Sequence, residues 1–479
     1  MKQANKLWML IIVLIIVIQS CVVPPYTQKS ENRYLPDKYL ASNVSGDTLN
    51  SADIRWDKFF SDTTLVKLVE IALQNNQELN ILTQEIRIAQ NDVRFRKAQY
   101  LPFLGLMAGA ALDKPGRYTF NGAVEENVLL TEDKKFPDPF SNLMLGVNFS
   151  WEIDIWKKLR NSKKAAMYKY LATREGRNFM QTRLVAEVAE TYYELLALDN
   201  ELEITQNYVD ILNNAFEIVK QEKAAARTTE LAVKRFEAEV LKNKSKIYYI
   251  RQQIVQKENQ LNYLLGHFPQ PIQRNSKLFM DIVPQQVLNG IPSQLLRNRP
   301  DIRMAEMELM ATRMEVKSSR AEFYPSLRMD GIGGFNAYNA VYLFQSPASI
   351  IWGIAGELIN PLINRNALKA NYFSAIAQQN KAAYHFEQKV INAYTEVSNQ
   401  IANVQNLQSA FELKKQQVDA LNQSIDISVN LFKNARADYM EVLLTQRDAL
   451  EAKYELVETK FQQMQAMINL YRALGGGWK

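Results

Sequence analysis

Val390-Ile-Asn-Ala-Tyr-Thr-Glu-Val-Ser-Asn-Gln-Ile-Ala-Asn-Val404 decides the fold class. Valine recurs there every seven residues, and the step continues through Phe411, Val418, Ile425 and Phe432. Tyr394 and Ile401 hold the companion position, which turns polar at Gln408, Lys415 and Asn422. Sustained seven-residue spacing implies helices supercoiled against other helices, and the polar drift implies a narrow seam beside water. The surrounding run, 362–474, contains neither Gly nor Pro. Inside a helix Gly costs about 1 kcal/mol and Pro about 3 kcal/mol, so the run is written for very long helices. At 1.5 Å per residue, 364–434 as one helix spans about 105 Å. A second stretch, 147–265, is broken only by Gly176.

The rest of the composition narrows the function class. The 479 residues carry 57 Lys and Arg against 51 Asp and Glu, a net charge of +6 with both signs interspersed. No basic cluster alternates with aromatics, which argues against nucleic acid. The two histidines, His267 and His385, lie far apart, and no His or Cys pair has metal-ligand spacing. No nucleophile–base or acid pair is recognisable.

The one cysteine, Cys21, follows Lys2 and Lys6, the apolar run Leu7–Ile18, then Gln19 and Ser20. A basic start, a short apolar core and a small residue before the cut describe a secretory signal over 1–20. The apolar run is too short for a spanning helix. A Cys directly after the cut points to a bacterial lipoprotein signal, with diacylglycerol and an acyl chain on Cys21; the alternative is an ordinary signal with an incidental Cys. Residues 22–50, rich in Pro, Ser, Asn and Thr, read as an extended tether, and 21–60 is taken as the acylated N-terminal segment.

The chain repeats itself. Ala98-Gln-Tyr-Leu-Pro-Phe-Leu and Ala321-Glu-Phe-Tyr-Pro-Ser-Leu open two windows that hold ten of the 17 glycines. Each window reads as two strands and a loop, then a long helical tract. Val188, Tyr192, Leu195 and Leu202 match Val390, Tyr394, Val397 and Val404 at an offset of 202, and Glu230-Leu-Ala-Val matches Glu441-Val-Leu-Leu at 211. The expected organisation is a first copy over 61–268, with strands 101–112 and 141–155 and a hairpin 156–265. A Pro-rich linker, 269–300, leads to a second copy over 301–474, with strands 323–336 and 348–360 and a hairpin 362–474. Residues 475–479 form a tail. Asn298-Arg-Pro300-Asp301 is a helix start, and Gly475–Gly477 a helix stop.

The strands alternate. Leu143, Leu145, Val147, Phe149, Trp151 and Ile153 interleave with Met144, Gly146, Asn148, Ser150, Glu152 and Asp154. Ile350, Trp352, Ile354 and Leu358 repeat the pattern. Strands of about ten residues with one wet face suit a barrel with lipid outside and water inside. Four strands cannot close a barrel, since about eight is the practical minimum. A bilayer requires closure because every backbone group must be satisfied, so several chains would share one barrel.

Several stretches carry a family resemblance: the Cys21 signal, Val147-Asn-Phe-Ser-Trp-Glu-Ile-Asp-Ile-Trp-Lys-Lys-Leu-Arg160, Arg297-Asn-Arg-Pro-Asp-Ile-Arg303, Ala321–Leu327, Val442-Leu-Leu-Thr-Gln-Arg-Asp-Ala-Leu450 and Leu470-Tyr-Arg-Ala-Leu-Gly-Gly-Gly-Trp478. The chain resembles the TolC-like outer-membrane efflux proteins, in particular their acylated, NodT-type branch. The resemblance implies a mainly α protein with a β membrane part, assembled as a homotrimer. Four strands per chain would give a shared 12-stranded outer-membrane β-barrel, continuous with a long periplasmic α-helical barrel. It implies an exit duct in the outer membrane of a Gram-negative bacterium that passively conducts drugs, toxic compounds or metal ions, is no enzyme and needs no cofactor. Its partners would be a periplasmic adaptor and an inner-membrane transporter of the resistance-nodulation-division class.

The resemblance also puts a periplasmic gate near the turn Ala435–Asp438. Where relatives place an Asp between a Leu and an Arg, this chain has Met440, Leu444 and Arg447, with Thr229, Val233 and Phe236 as repeat counterparts at the offset of 211. An apolar constriction gating by dewetting follows; the alternative is that Met440, Leu444 and Val233 pack helix on helix. Trp151 and Trp352 are candidate membrane-interface aromatics. Trp156 fits that role or a strand-to-helix corner. Glu152, Asp154 and Glu357 fit either the lumen or helix caps. Rival classes are an acylated periplasmic adaptor, a coiled-coil envelope lipoprotein and an envelope hydrolase. The loops 113–140 and 336–348 are expected to face outside.

Overall fold

The computed structural model describes residues 23–27, 29–40, 49–131, 134–360, 365–434 and 436–479. Cys21 and Ala435 lie outside the described residues. The main elements, in chain order, are helices α1 (Thr63–Asn75) and α2 (Gln77–Gln99), strands β1 (Phe103–Asp113) and β2 (Phe140–Ile153), and helices α3 (Lys158–Ala224) and α4 (Glu230–Leu264). The second copy follows with α5 (Pro300–Ala321), β3 (Ser326–Ala337), β4 (Ile350–Ile359), α6 (Arg365–Lys433) and α7 (Tyr439–Ala473). Among the described residues no helix is long and apolar enough to cross a membrane.

The chain divides into two compact units, one holding residues up to 30, 87–170 and 307–383, the other 31–86, 171–306 and 384–479. The first unit contains a four-stranded antiparallel sheet in the order β1-β2-β3-β4. Leu106↔Val147, Val147↔Gly333 and Gly333↔Trp352 are aligned across it. Gly146 is aligned with Gly334 across β2 and β3, and there is no room for a side chain there: a Cβ on Gly334 would lie 2.4 Å from the Leu145 carbonyl oxygen. The same unit holds a small cluster of Val316, Phe323 and Tyr372, with Tyr26 of the N-terminal segment edge-on to Tyr372.

The second unit is built on the helical seams. Tyr192, Tyr193, Leu195 and Leu196 of α3 are fully buried with Leu65, Val69, Leu261, Met464 and Ile468. Each such side chain contributes about 1.5–3 kcal/mol. Phe59 stacks on Tyr471 at 3.9 Å. In α6 the heptad residues Val390 and Val397 are buried, and Val418 nearly so.

Four expectations change. The segment up to 60 is not all tether, because Ser51–Asp53 and Trp56–Phe59 form helical turns whose Trp56, Phe59 and Phe60 enter the core. The loop 113–140 carries a helix, Phe120–Asn127, capped by Thr119, and a ribbon of Leu129–Thr131 with Lys134–Lys135. The linker 269–300 contains turns at Ser276–Asp281, Pro292–Gln294 and Leu295–Asn298. Phe279 and Leu295 anchor it by burial.

The fourth is the register of the repeat. Asn76 and Arg299, which precede α2 and α5, are 223 residues apart. Beyond the sheet the offset is 209. Thr229 and Asp438 are the N-caps of α4 and α7. Gly266 and Gly475, at φ +71° and +94°, end the same two helices. Val233, Val240, Asn243, Ile250, Ile254, Leu261, Asn262 and Leu264 are buried, and so is the residue 209 further on; Phe236 is the exception, its counterpart Thr445 being half-buried. The reading of 202 is one heptad short of 209. A heptad shift lays the same face along the seam, so hydrophobic spacing cannot detect it. The reading of 211 matched apolar letters that face opposite ways: Val233 is buried, whereas Leu444 is exposed.

Candidate functional site

Two surfaces bear on function: the sheet and the tips of the helical hairpins. In the sheet, alternation of side chains and the strand register put Leu104, Leu106, Leu143, Leu145, Val147, Phe149, Trp151, Met329, Phe335, Ile350, Trp352, Ile354 and Leu358 on one face. The opposite face carries Asn142, Asn148, Ser150, Glu152, Arg328, Asp330, Asn336 and Glu357. Leu106, Trp352 and Ile354 are strongly exposed in the isolated chain. An apolar face presented outward opposite a polar one is the pattern of a lipid-facing barrel wall. Among the described residues, strands β1 and β4 each have one unpaired edge.

Glu152 and Glu357 align with Arg328 on the polar face. Arg328 pairs with Asp330 at 3.0 Å, and Glu152 pairs with Lys158. Asp154 is a cap: its carboxylate accepts from the Leu159 and Arg160 amides at 3.0 and 2.9 Å at the start of α3. The two sequence-flagged tryptophans differ. Trp352 projects freely, whereas the Trp151 indole donates to the Tyr100 carbonyl at 3.1 Å. Trp156 takes the corner, stacked on Tyr324 at 4.9 Å and donating to the Pro325 carbonyl at 2.8 Å.

At the hairpin tips, the turn after α3 places Ala226 at φ +56°. The amides of Ala226 and Arg227 donate back to Lys223 and Glu222 at 2.9 and 2.8 Å, a Schellman closure made without glycine. The corresponding bond from Arg436 to Leu431, at 2.9 Å, closes α6. An aromatic cluster fills the tip: Phe236 and Phe432 meet Tyr439 edge-on at 4.7 and 4.8 Å. Burial pushes the Tyr439 hydroxyl up to about 12.

The gate candidates therefore part company. Val233 and Phe236 are core residues, packed with Tyr208, Leu212 and Val219. Thr229 caps α4 through the Ala232 amide. Leu444 and Arg447 face solvent, Arg447 pairing with Asp448 at 3.0 Å, and Met440 is half-buried. In the corrected register the counterparts of Met440, Leu444 and Arg447 are Leu231, Arg235 and Ala238, all exposed. Sequence reasoning missed these three because it took the wrong offset. Among the described residues no group of three or more His, Cys, Asp or Glu is arranged to hold a metal.

Two of the resemblance motifs meet in space. The Trp478 indole donates to the Asn298 carbonyl at 3.0 Å, and Arg303 lies over its ring at 5.4 Å.

The sequence pattern of the family described as "Outer membrane efflux protein" matches residues 68–267 and 291–476. The toluene efflux pump outer membrane protein TtgI of Pseudomonas putida is 27% identical over 423 residues, covering 88% of this chain and 87% of that one. The probable outer membrane lipoprotein SilC of Salmonella typhimurium is 25% identical over 477 residues, 99% of each chain. The cation efflux system protein CusC of Escherichia coli (strain K12) is 26% identical over 431 residues, 89% of this chain and 90% of that one. Among solved structures, the open state of the MtrE outer membrane channel of Neisseria gonorrhoeae superimposes with a TM-score of 0.83 at 23% identity, covering 96% of this chain and 98% of that one. The fold is thus that of the TolC-like channels.

Proposed function

We propose, from the premise that the chain belongs to the outer membrane efflux protein family, that it is the exit duct of a tripartite pump. It works as a homotrimer in the outer membrane, with a periplasmic adaptor and an inner-membrane transporter of the resistance-nodulation-division class. Conduction is passive and needs no cofactor. The cargo is drugs, toxic compounds or metal ions; the named cargoes of the relatives range from toluene to cations. Cys21 carries the lipid that anchors the N-terminus.

The observation that carries this reading is the two-faced sheet with two open edges. Closure is obligatory in a bilayer, and three copies joined β4 to β1 close at twelve strands. The helices supply independent support. Ile81, Ile88 and Phe95 form an exposed heptad stripe on α2, and Leu241, Tyr248 and Val255 another on α4. Tyr248 is 70% exposed, whereas its counterpart Val457 in α7 is 2% exposed, covered by the core around α3. A second copy offers the stripe on α4 the same cover. The test is heat-modifiable trimer migration from outer-membrane fractions, with single-channel conductance in planar bilayers. A monomer without conductance would overturn it.

A further inference from the structure

The two copies differ at one place where the repeat predicts likeness. A pocket of about 490 Å³ in the first copy is lined by Asn76, Leu79, Met180, Leu184, Glu187 and Tyr263. The counterparts of Asn76, Glu187 and Tyr263 are Arg299, Glu396 and Arg472. There Arg299 pairs with Glu396 at 2.8 Å and Arg472 approaches it at 3.5 Å. In the first copy both cations are replaced by neutral residues, and the Glu187 carboxylate meets Arg183 at 4.0 Å, the outer limit of an ion pair.

The second copy is also covered by the chain's own tether. The Asn32 amide donates to Glu387 at 2.9 Å, and Arg33 pairs with Glu306 at 2.7 Å and lies over Phe386. The Tyr394 hydroxyl donates to the Lys38 carbonyl at 3.0 Å. Tyr39 is buried, stacked on Tyr394 at 5.6 Å and within reach of the Arg299 charge. The counterpart of Tyr394 is Val185, next to the pocket residue Leu184. The tether thus lies over the second copy, where the first copy has an open pocket.

We propose that the open first-copy pocket binds an extended segment of a different polypeptide, bearing a basic residue beside a Tyr or Phe. The aromatic ring fills the space over Leu79, Met180 and Leu184, and the cation pairs with Glu187. In the second copy the covering ring is Tyr39 of the tether, and the cations on the matching carboxylate, Glu396, are the chain's own Arg299 and Arg472. The segment is assigned to a second polypeptide because each chain's own tether already lies against its second copy. The inference does not depend on conduction.

The probe is a fluorescent synthetic peptide of the tether sequence Asn32–Leu40, titrated by anisotropy onto the full-length assembly in detergent. Saturable binding at one site per chain is expected. Met180→Trp, which fills the pocket from its half-buried rim, weakens it at least tenfold. Glu187→Gln, a surface change, weakens it several-fold, as does Lys38→Glu in the peptide. Tyr39→Ala in the protein leaves the first-copy affinity unchanged. No saturable binding, or binding indifferent to both pocket variants, overturns the proposal. So does binding that appears only once Tyr39 is removed, because the peptide then takes the tether's place over Tyr394. Trimer migration and conductance of the same variants report separately on the channel.

Discussion

Arg299 donates to the carbonyl oxygen of Ala473 at 2.7 Å, tying the start of α5 to the last residue of α7. In the first copy Asn76 makes the matching bond to the Leu264 carbonyl at 3.0 Å. One neutral and one cationic side chain thus perform the same closure, each beside a positive-φ glycine that could not carry a Cβ. A Cβ on Gly475 would lie 2.5 Å from the Asn298 carbonyl oxygen, and one on Gly266 2.6 Å from that of Asn75. Arg299 additionally holds Asp301 through two bonds of 3.0 and 2.9 Å. The carboxylates hold its guanidinium firmly charged, above its ordinary value, against the opposing effect of burial.

Arg299→Ala is expected to destabilise the fold by about 3–5 kcal/mol, because it leaves Asp301 buried and unpaired. Thermal or denaturant unfolding of the variant checks this. A loss below about 1 kcal/mol would show that the network is incidental.

Phe236→Ala opens a cavity at the hairpin tip and should cost about 3–5 kcal/mol locally. Leu444→Ala, on an exposed face, should change stability by no more than about 0.5 kcal/mol. Hydrogen exchange across the α3–α4 and α6–α7 tips separates the two. Equal effects would contradict the division between packing and surface residues.

Ala226 occupies a left-handed conformation that disfavours any Cβ. Ala226→Gly relieves roughly 1 kcal/mol of that strain, partly offset by the greater freedom of glycine in the unfolded chain. Slower amide exchange over 224–229 is the expected sign. Faster exchange would mean that the alanine is not strained.

Arg447 has a partner within its own chain in Asp448 and still faces solvent. If the hairpin tips form the gate, Arg447→Ala alters single-channel conductance without loss of trimer. Unchanged conductance and unchanged efflux would remove Arg447 from the gate.

Burial raises the Glu190 carboxyl above its ordinary 4.5, with Arg472 and the Asn469 and Gln465 side chains opposing the shift. The folded state then binds the proton more tightly than the unfolded chain. Stability from this group is present below about 4.5 and declines as pH rises through the raised folded value. Glu190→Gln should flatten that decline. Thermal midpoints across pH 4 to 8 test it, and an unchanged slope would exclude Glu190 as its source.

The long helices and the alternating strands were legible in the sequence because period seven and period two are local signals. Phe103–Asp113 and Phe140–Ile153 lie within two residues of the segments read from alternation, and Ser326–Ala337 and Ile350–Ile359 within three. The gate assignment was not legible. Val233 and Leu444 are both apolar letters at helical spacing, and only burial shows that one packs inward and the other outward. The pocket beside Glu187 was equally hidden, since it depends on what Arg299, Arg472 and Tyr39 cover in the other copy.

By itself the sequence determined the class: two copies, each of two amphipathic strands and a long helical hairpin, with a family signature from end to end. Apolar spacing and breaker placement act over a few residues and survive in one dimension. Tertiary structure alone decided the register between the copies, 209 rather than 202 or 211 in the hairpins. A heptad pattern maps onto itself after every seven residues, so its phase carries no absolute position. Caps such as Thr229 and Asp438, and closures such as Arg299 to Ala473, break that degeneracy because each bond has one geometry.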